Sequence, residues 1–277
     1  MTEKKKNPSL PARLFESRKL LANLAKNDFK KKFAGSYFGV VWAFVQPVIT
    51  VLLYWFVFEK ALNQRASDLR TGVTVPFVLW LMGGLVPWFY FQEALNGGTG
   101  VLIEYNYLVK KVVFRIEILP VVKVISALFT HLFFVCFMLL VFAFMGYFPD
   151  LYVLQVVYYS FCMVVLTMGL VYAASAVTVF FRDMKEVVSI LLQIGMWATP
   201  IMWTFESMSS IPGWAVTLLK LNPMYYVVAG YRDALIHKIG FWERPGLTLW
   251  FWAVTLLLLW LGTGIFKRLR VHFADVL

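Results

Sequence analysis

Six long apolar runs dominate the chain, separated by polar connections. They are Tyr37–Phe58, Val73–Phe91, Val124–Phe148, Leu154–Phe181, Val187–Phe205 and Leu247–Phe266, and none contains Asp, Glu, Lys or Arg. A helix of about 20 mostly apolar residues crosses the hydrocarbon core of a bilayer, so the pattern predicts six transmembrane helices. Before the first run, Leu14, Leu21, Leu24, Ala25, Phe29 and Phe33 recur at helical spacing, with Arg13, Lys19, Lys26, Lys30 and Lys31 between them. This is the pattern of a basic amphipathic helix in the inner membrane interface. The predicted fold is an all-α integral membrane protein. It has an N-terminal tail and interface helix at 1–36 and a six-span domain at 37–277.

Three connections carry further signals. Gly97, Gly98 and Gly100 end the second span, and Val101–Lys111 then reads as a short helix of mixed surface. Such a helix rests on the membrane or docks into a soluble partner through Leu102, Tyr105, Leu108 and Val109. Arg182 and Asp183 lie in the short turn between spans four and five. They form a plain polar turn, or an ion pair that passes loop movement to the spans. The segment Glu206–Gly246 holds two apolar pieces, Trp214–Leu221 and Met224–Tyr231, broken by Asn222-Pro223. Each is too short to span. Proline disfavours helix at the residue before it, so the pieces read as an interfacial hairpin or as two re-entrant half-helices. Broken backbone is tolerated at membrane depth only inside protein or beside a wet cavity.

Two spans present amides on defined faces. Phe38, Trp42 and Gln46 share one face of span one, and Gln193, Met196, Trp197 and Pro200 share one face of span five. An amide in lipid needs a partner helix or a cavity. These faces therefore make interhelical hydrogen bonds, or they border a translocation path between two copies of the chain.

Composition agrees with the pattern. Of 277 residues, 61% are hydrophobic and 15% charged, against roughly 45–50% and 25% in soluble domains. The mean hydropathy is +0.72. An ordinary soluble enzyme, a disordered chain and a disulfide scaffold are excluded, the last because Cys136 and Cys162 sit inside apolar runs. With the N-terminus inside, the inner segments hold 19 Lys/Arg and the outer segments hold 7. The positive-inside rule then places both termini in the cytoplasm of a multi-pass plasma-membrane protein. The net charge of +11 reflects topology and anionic lipid; no nucleic-acid partner is expected, because the cations abut the spans.

The chain shows no phosphate loop, no nucleophile elbow and no metal-ligand spacing. No cofactor or metal is expected, and directional transport would draw its energy from a partner. His131, alone in span three, bonds a neighbouring helix or relays protons. A membrane-embedded lipid-modifying transferase would need a carboxylate or histidine pair at the interface, and none is grouped convincingly. A channel without an energy partner is a third reading.

The stretch Lys32-Phe33-Ala34-Gly35-Ser36-Tyr37-Phe38-Gly39-Val40-Val41-Trp42, followed by Gln46-Pro47, resembles the start of span one in permease subunits of type-2 ATP-binding-cassette exporters. Leu119-Pro120, Phe181-Arg182-Asp183, Leu221-Asn222-Pro223 and Tyr231-Arg232 resemble that family's later landmarks, in order. Phe114-Arg115 departs from a Phe-Pro frequent there. The chain resembles polysaccharide exporters most, and among them the permeases of wall teichoic acid exporters in Gram-positive bacteria. The resemblance implies a homodimer that binds two copies of a cytoplasmic ATPase carrying ATP and Mg. It implies a polymer on undecaprenyl diphosphate, moved across the plasma membrane, with O-antigen or capsule polysaccharide as the alternative cargo. Leu102, Glu104, Tyr105, Leu108, Val109, Lys110 and Lys111 would form a coupling helix, with Arg182 and Asp183 beside it. Spans one and five would line the path, and Asn222, Pro223, Tyr225, Tyr226 and Arg232 would build an outer gate. The chain itself would be a transporter subunit without ATPase activity.

Overall fold

The computed structural model describes residues 10–277 apart from 33, 36, 64, 65, 68–71, 73, 112, 113 and 206–211. Phe33 and the start of the predicted Glu206–Gly246 connection thus lie outside the described residues. The N-terminal basic pattern folds as α1 (Leu10–Glu16) and α2 (Arg18–Lys32). The first apolar run forms α3 (Trp42–Trp55), entered by a 3-10 turn at Gly39–Val41 and prolonged by a π turn at Phe56–Ala61. The two-residue strands β1 (Ala66–Ser67) and β2 (Thr74–Val75) pair antiparallel, Ala66 opposite Val75. Then come α4 (Phe77–Thr99), the short α5 (Val101–Glu104) and α6 (Asn106–Val109), α7 (Ile118–Phe144), α8 (Leu154–Phe180) and α9 (Met184–Ala198). The segment after α9 holds α10 (Gly213–Lys220) and α11 (Pro223–Arg232), which continues as a π turn to His237. The chain ends in α12 (Pro245–Leu269) and α13 (Phe273–Val276).

Four of these helical stretches are long and apolar enough to cross a membrane: Gly39–Ala61, Ile118–Phe144, Leu151–Phe180 and Pro245–His272. The other two predicted spans differ for identifiable reasons. α4 has 23 residues, but its last turns carry Gln92, Glu93 and Asn96, and most of its surface is covered by neighbouring helices. A helix apolar on all sides is a buried one. α9 has only 15 residues, because Thr199 is extended before Pro200.

Two apolar clusters hold the helices together. The larger surrounds α4, α7, α8 and α11, with Trp88, Tyr90, Phe142 and Tyr231 among its fully buried side chains. The smaller lies where α2, α5 and α6 meet the start of α7 and the ends of α8 and α12, around Leu21, Leu102, Tyr105, Tyr172 and Phe266. α8 and α12 approach most closely at Gly169 and Gly262. A Cβ at Gly262 would collide with the carbonyl oxygen of Gly169, and one at Gly169 would lie 2.8 Å from the Leu259 nitrogen. Small residues permit such backbone approach in membranes. Gly262→Val should therefore destabilise the purified protein by at least the ~1–3 kcal/mol of an overpacked core and lower its thermal midpoint. Gly264→Val, with open space around it, should leave the midpoint nearly unchanged.

Candidate functional site

A cavity of about 600 Å³ opens between α3, α4 and α7. One face of α3 supplies Trp42, Gln46, Thr50 and Tyr54, four residues apart, and the last turns of α4 supply Gln92, Glu93 and Asn96. Met196 of α9 reaches the wall. Lys32 at the end of α2 donates to Glu93 at 2.7 Å, so the interface helix is fastened to the rim. Pro47 cannot donate a backbone hydrogen bond, which leaves the Ala43 carbonyl without its helical donor beside the cavity.

A second cavity of about 300 Å³ shares Lys32, Glu93 and Gly97 with the first. Lys123 stands at its wall and donates to Asp28 at 2.7 Å and to Glu104 at 2.8 Å. Tyr105 donates its hydroxyl to Asp28 at 2.7 Å. Burial, and next the Asp28 carboxylate, raise the Tyr105 pKa above its usual value. This buried cluster joins α2, the α5–α6 connection and α7. Nearby, Glu117 accepts from Arg13 at 2.8 Å and from Arg270 at 2.6 Å. The first helix and the chain's end therefore meet at the same end of the bundle.

The α5–α6 connection turns three of the four predicted apolar anchors inward. It is broken into two four-residue helices at Tyr105, and Leu102, Tyr105 and Val109 are buried inside the protein. Leu108 is half-buried, while Glu104, Asn106, Tyr107, Lys110 and Lys111 are exposed. Burying the apolar side chains in the smaller cluster leaves the polar ones outward. Arg182 and Asp183 are also exposed, and the Lys185 side chain lies against Gly100.

At the opposite end the broken α9 is secured by one cation. Arg232, at the end of α11, donates to the carbonyls of Trp80 (3.2 Å), Pro200 (2.5 Å) and Ile201 (2.7 Å). Its guanidinium also lies 3.7 Å from the Trp80 ring centroid. Gly83 and Gly84 make room, for a Cβ at Gly84 would stand 3.0 Å from Arg232 Nη2. Asn222 caps α11 by accepting from the Met224 N–H at 3.0 Å and donates to Thr199 at 2.9 Å. Of the two half-helices, α11 is buried among α4, α8 and α12, whereas α10 exposes Trp214 and Leu218. Tyr226 hydrogen-bonds Thr248 at 3.0 Å and Tyr158 at 3.2 Å; Tyr225 is half-buried beside Phe205. Asp233 pairs with Arg244 at 3.2 Å, yet burial pushes its pKa up to about 6.

Of the predicted path residues, Trp42, Gln46 and Met196 come together at the large cavity. Phe38 touches Trp42 edge-on at 5.8 Å, Gln193 and Trp197 are exposed, and Pro200 is buried under Arg232. His131 hydrogen-bonds Ser160 (3.2 Å) and Tyr231 (3.1 Å), joining α7 to α8 and α11. Sequence reasoning missed Asp28, Glu93, Glu117 and Lys123. Asp28 carried a signal, since it falls seven residues after Leu21 on the apolar face of α2.

These observations define a polytopic helical membrane protein with a polar cavity beside its first long apolar helix and a short helix, α9, whose end is tied by Arg232. Residues 19–236 match the ABC-2 type transporter family, and the chain belongs to it. The chain is 28% identical over 263 residues to an O-antigen export system permease protein, RfbA, of Myxococcus xanthus, covering 95% of this chain and 96% of the relative. It is 24% identical over 262 residues to an RfbA of Klebsiella pneumoniae, covering 93% and 95%.

Proposed function

We propose that this chain is the membrane-spanning subunit of an ATP-driven polysaccharide exporter of the O-antigen kind. The observation that carries the reading is the near full-length similarity to permeases named for O-antigen export. Those names favour the O-antigen alternative over wall teichoic acid, and the expectation of a Gram-positive source loses its basis. Family membership implies an ABC ATPase on the cytoplasmic side.

In this reading α4 and α9 complete six spans, and two permeases bind two ATPase copies. The shared grip of Glu117 on Arg13 and Arg270 supports termini on one side, and the 19 to 7 distribution of cations supports the cytoplasm as that side. The ATPase would meet the exposed Tyr107, Lys110 and Lys111, with Arg182 and Asp183. The cargo would be a glycan on a polyprenyl diphosphate, moved from the inner to the outer leaflet. The 15-residue α9 and the buried α11 would form the outer gate.

The test is reconstitution. The permease and its ATPase are purified together and placed in liposomes with a polyprenyl diphosphate-linked glycan. ATP should make the glycan accessible to a lectin on the far side. A complex that hydrolyses ATP and leaves the glycan in place would overturn the reading.

A further inference from the structure

We propose that a slot between α4, α8, α9 and α12 holds one acyl chain of a membrane phospholipid, with the headgroup phosphate at Lys185. The site is separate from the cavity beside α3, and it stands whether or not the chain is an exporter.

The slot has a volume of about 330 Å³ and an almost wholly apolar wall. α8 contributes Leu170 and Ala173, α9 contributes Val188 and Leu192, α12 contributes Leu258, and α4 contributes Trp88. Asn222 is the one amide at the wall, and it is already bonded to Thr199 and to the Met224 N–H. A water in such a slot would lack the two to four polar partners it needs. Leu191 lies at the same wall and is 59% exposed, so the slot opens outward there. α8 and α12 belong to stretches long and apolar enough to cross a membrane. The medium at the opening is therefore hydrocarbon.

The dimensions select the occupant. From Met184 to Gly195 the wall follows α9 for about 16 Å at the helical rise. This is about half of the ~30 Å hydrocarbon core, the depth of a single leaflet. Spread over that length, the volume gives a cross-section of about 20 Å². A polymethylene chain packed roughly 4 Å from its neighbours needs on the order of 16 Å². A helix of about 10 Å diameter needs on the order of 80 Å². One chain fits, and a helix of a second copy could only cover the opening.

The charges at one end supply the headgroup. The apolar stretch containing α8 ends at Phe180, four residues before Met184, so this end of the slot lies at headgroup depth. Lys185 is exposed there, its side chain reaches Gly100, and it has no ion-pair partner among the described residues. Arg182 and Asp183 are adjacent opposite charges. Glu186 falls two residues after Met184, on the far side of α9. The first turn of α9 adds the positive end of its dipole. A phosphate complements this arrangement, and its ester-linked chain then enters beside Met184.

The experiment places the photoreactive residue p-benzoylphenylalanine at position 191, in the opening, or at position 132 on α7. Leu132 is 58% exposed and lines no part of the slot, so it reports loosely held lipid. The full chain is reconstituted in nanodiscs of phosphatidylethanolamine and phosphatidylglycerol with added polyprenyl diphosphate. It is then exchanged into detergent, irradiated and weighed intact. Position 191 should carry a phospholipid adduct on at least ten times the fraction of molecules seen at position 132. Ala173→Phe fills the slot and should cut that adduct at least fivefold in monodisperse protein. Lys185→Glu reverses an exposed charge and should cut it at least threefold; it decides alone if Ala173→Phe fails to fold. Equal adducts at the two positions overturn the site, as does an adduct indifferent to Lys185→Glu. Capture of a second copy of the chain, or of the polyprenyl diphosphate, at position 191 overturns it too.

Discussion

Arg232→Met should yield little or no monodisperse protein after detergent extraction. The substitution keeps the bulk of the aliphatic stem but removes every donor. Three carbonyls, those of Trp80, Pro200 and Ile201, then lose a charged partner inside the protein. Hydrogen bonds to charged groups contribute roughly 1.5–3 kcal/mol each, and a buried acceptor left without a donor carries its desolvation penalty. Release of the guanidinium's own burial cost offsets part of this. The remainder is still large against a total stability of about 5–15 kcal/mol. Pro200 and Ile201 lie just past the end of α9, so the damage starts where that helix ends. Arg232→Lys tests the geometry, because a single ammonium cannot serve three carbonyls as a planar fork does. It should fall between wild type and methionine. Fluorescence-detected size-exclusion chromatography reads all three; a wild-type profile for Arg232→Met would refute this account of the Arg232 anchor.

Lys123→Met should give the second large effect, at the other end of the molecule. Asp28 is buried, with 7% of its side chain exposed, and Lys123 is its cationic partner at 2.7 Å. Removing one member of a buried ion pair costs about 3–5 kcal/mol, because the other charge stays behind. The expected result is a lower thermal midpoint and faster trypsin cleavage at the lysines of α2. In the proposed exporter, ATP-driven transport should fall with it, since Glu104 at the end of α5 also loses Lys123. Asp28→Asn in the same chain neutralises the stranded charge and should restore part of the stability. The double-mutant cycle isolates that coupling. Additive losses in the double variant would mean that Asp28 and Lys123 do not act as a pair.

The residues that read correctly in the sequence are those whose surroundings are set by the medium. Lipid demands long apolar helices with every backbone group bonded internally, so α7, α8 and α12 stand out from composition and length alone. α3 reads almost as well, although Gly39 and Phe56 change the helix type at its ends. The Asn222-Pro223 break and the cap on α11 follow from local rules that need no neighbours.

The α5–α6 connection was legible as a short helical segment, and its orientation was not. Leu102, Tyr105 and Val109 satisfy the spacing of an outward docking face as well as an inward one. Only the smaller apolar cluster, assembled from α2, α7, α8 and α12, selects the inward face. Gln46 and Gln193 show the same limit. Both are exposed amides in apolar runs, but Gln46 lines the cavity between α3, α4 and α7 and Gln193 does not.

By itself the sequence determined a helical membrane protein, its long apolar helices and the positions of helix breaks. Each of these follows from the solvent or from rules acting within a turn or two of helix. The tertiary structure alone decided that Arg232 grips the carbonyls of Pro200 and Ile201, and that Lys123 joins Asp28 to Glu104. It also decided which amides share a cavity. Those contacts join groups up to 95 residues apart in the chain, as Lys123 and Asp28 are. Their partners are chosen by how the helices pack, and no local pattern encodes that choice.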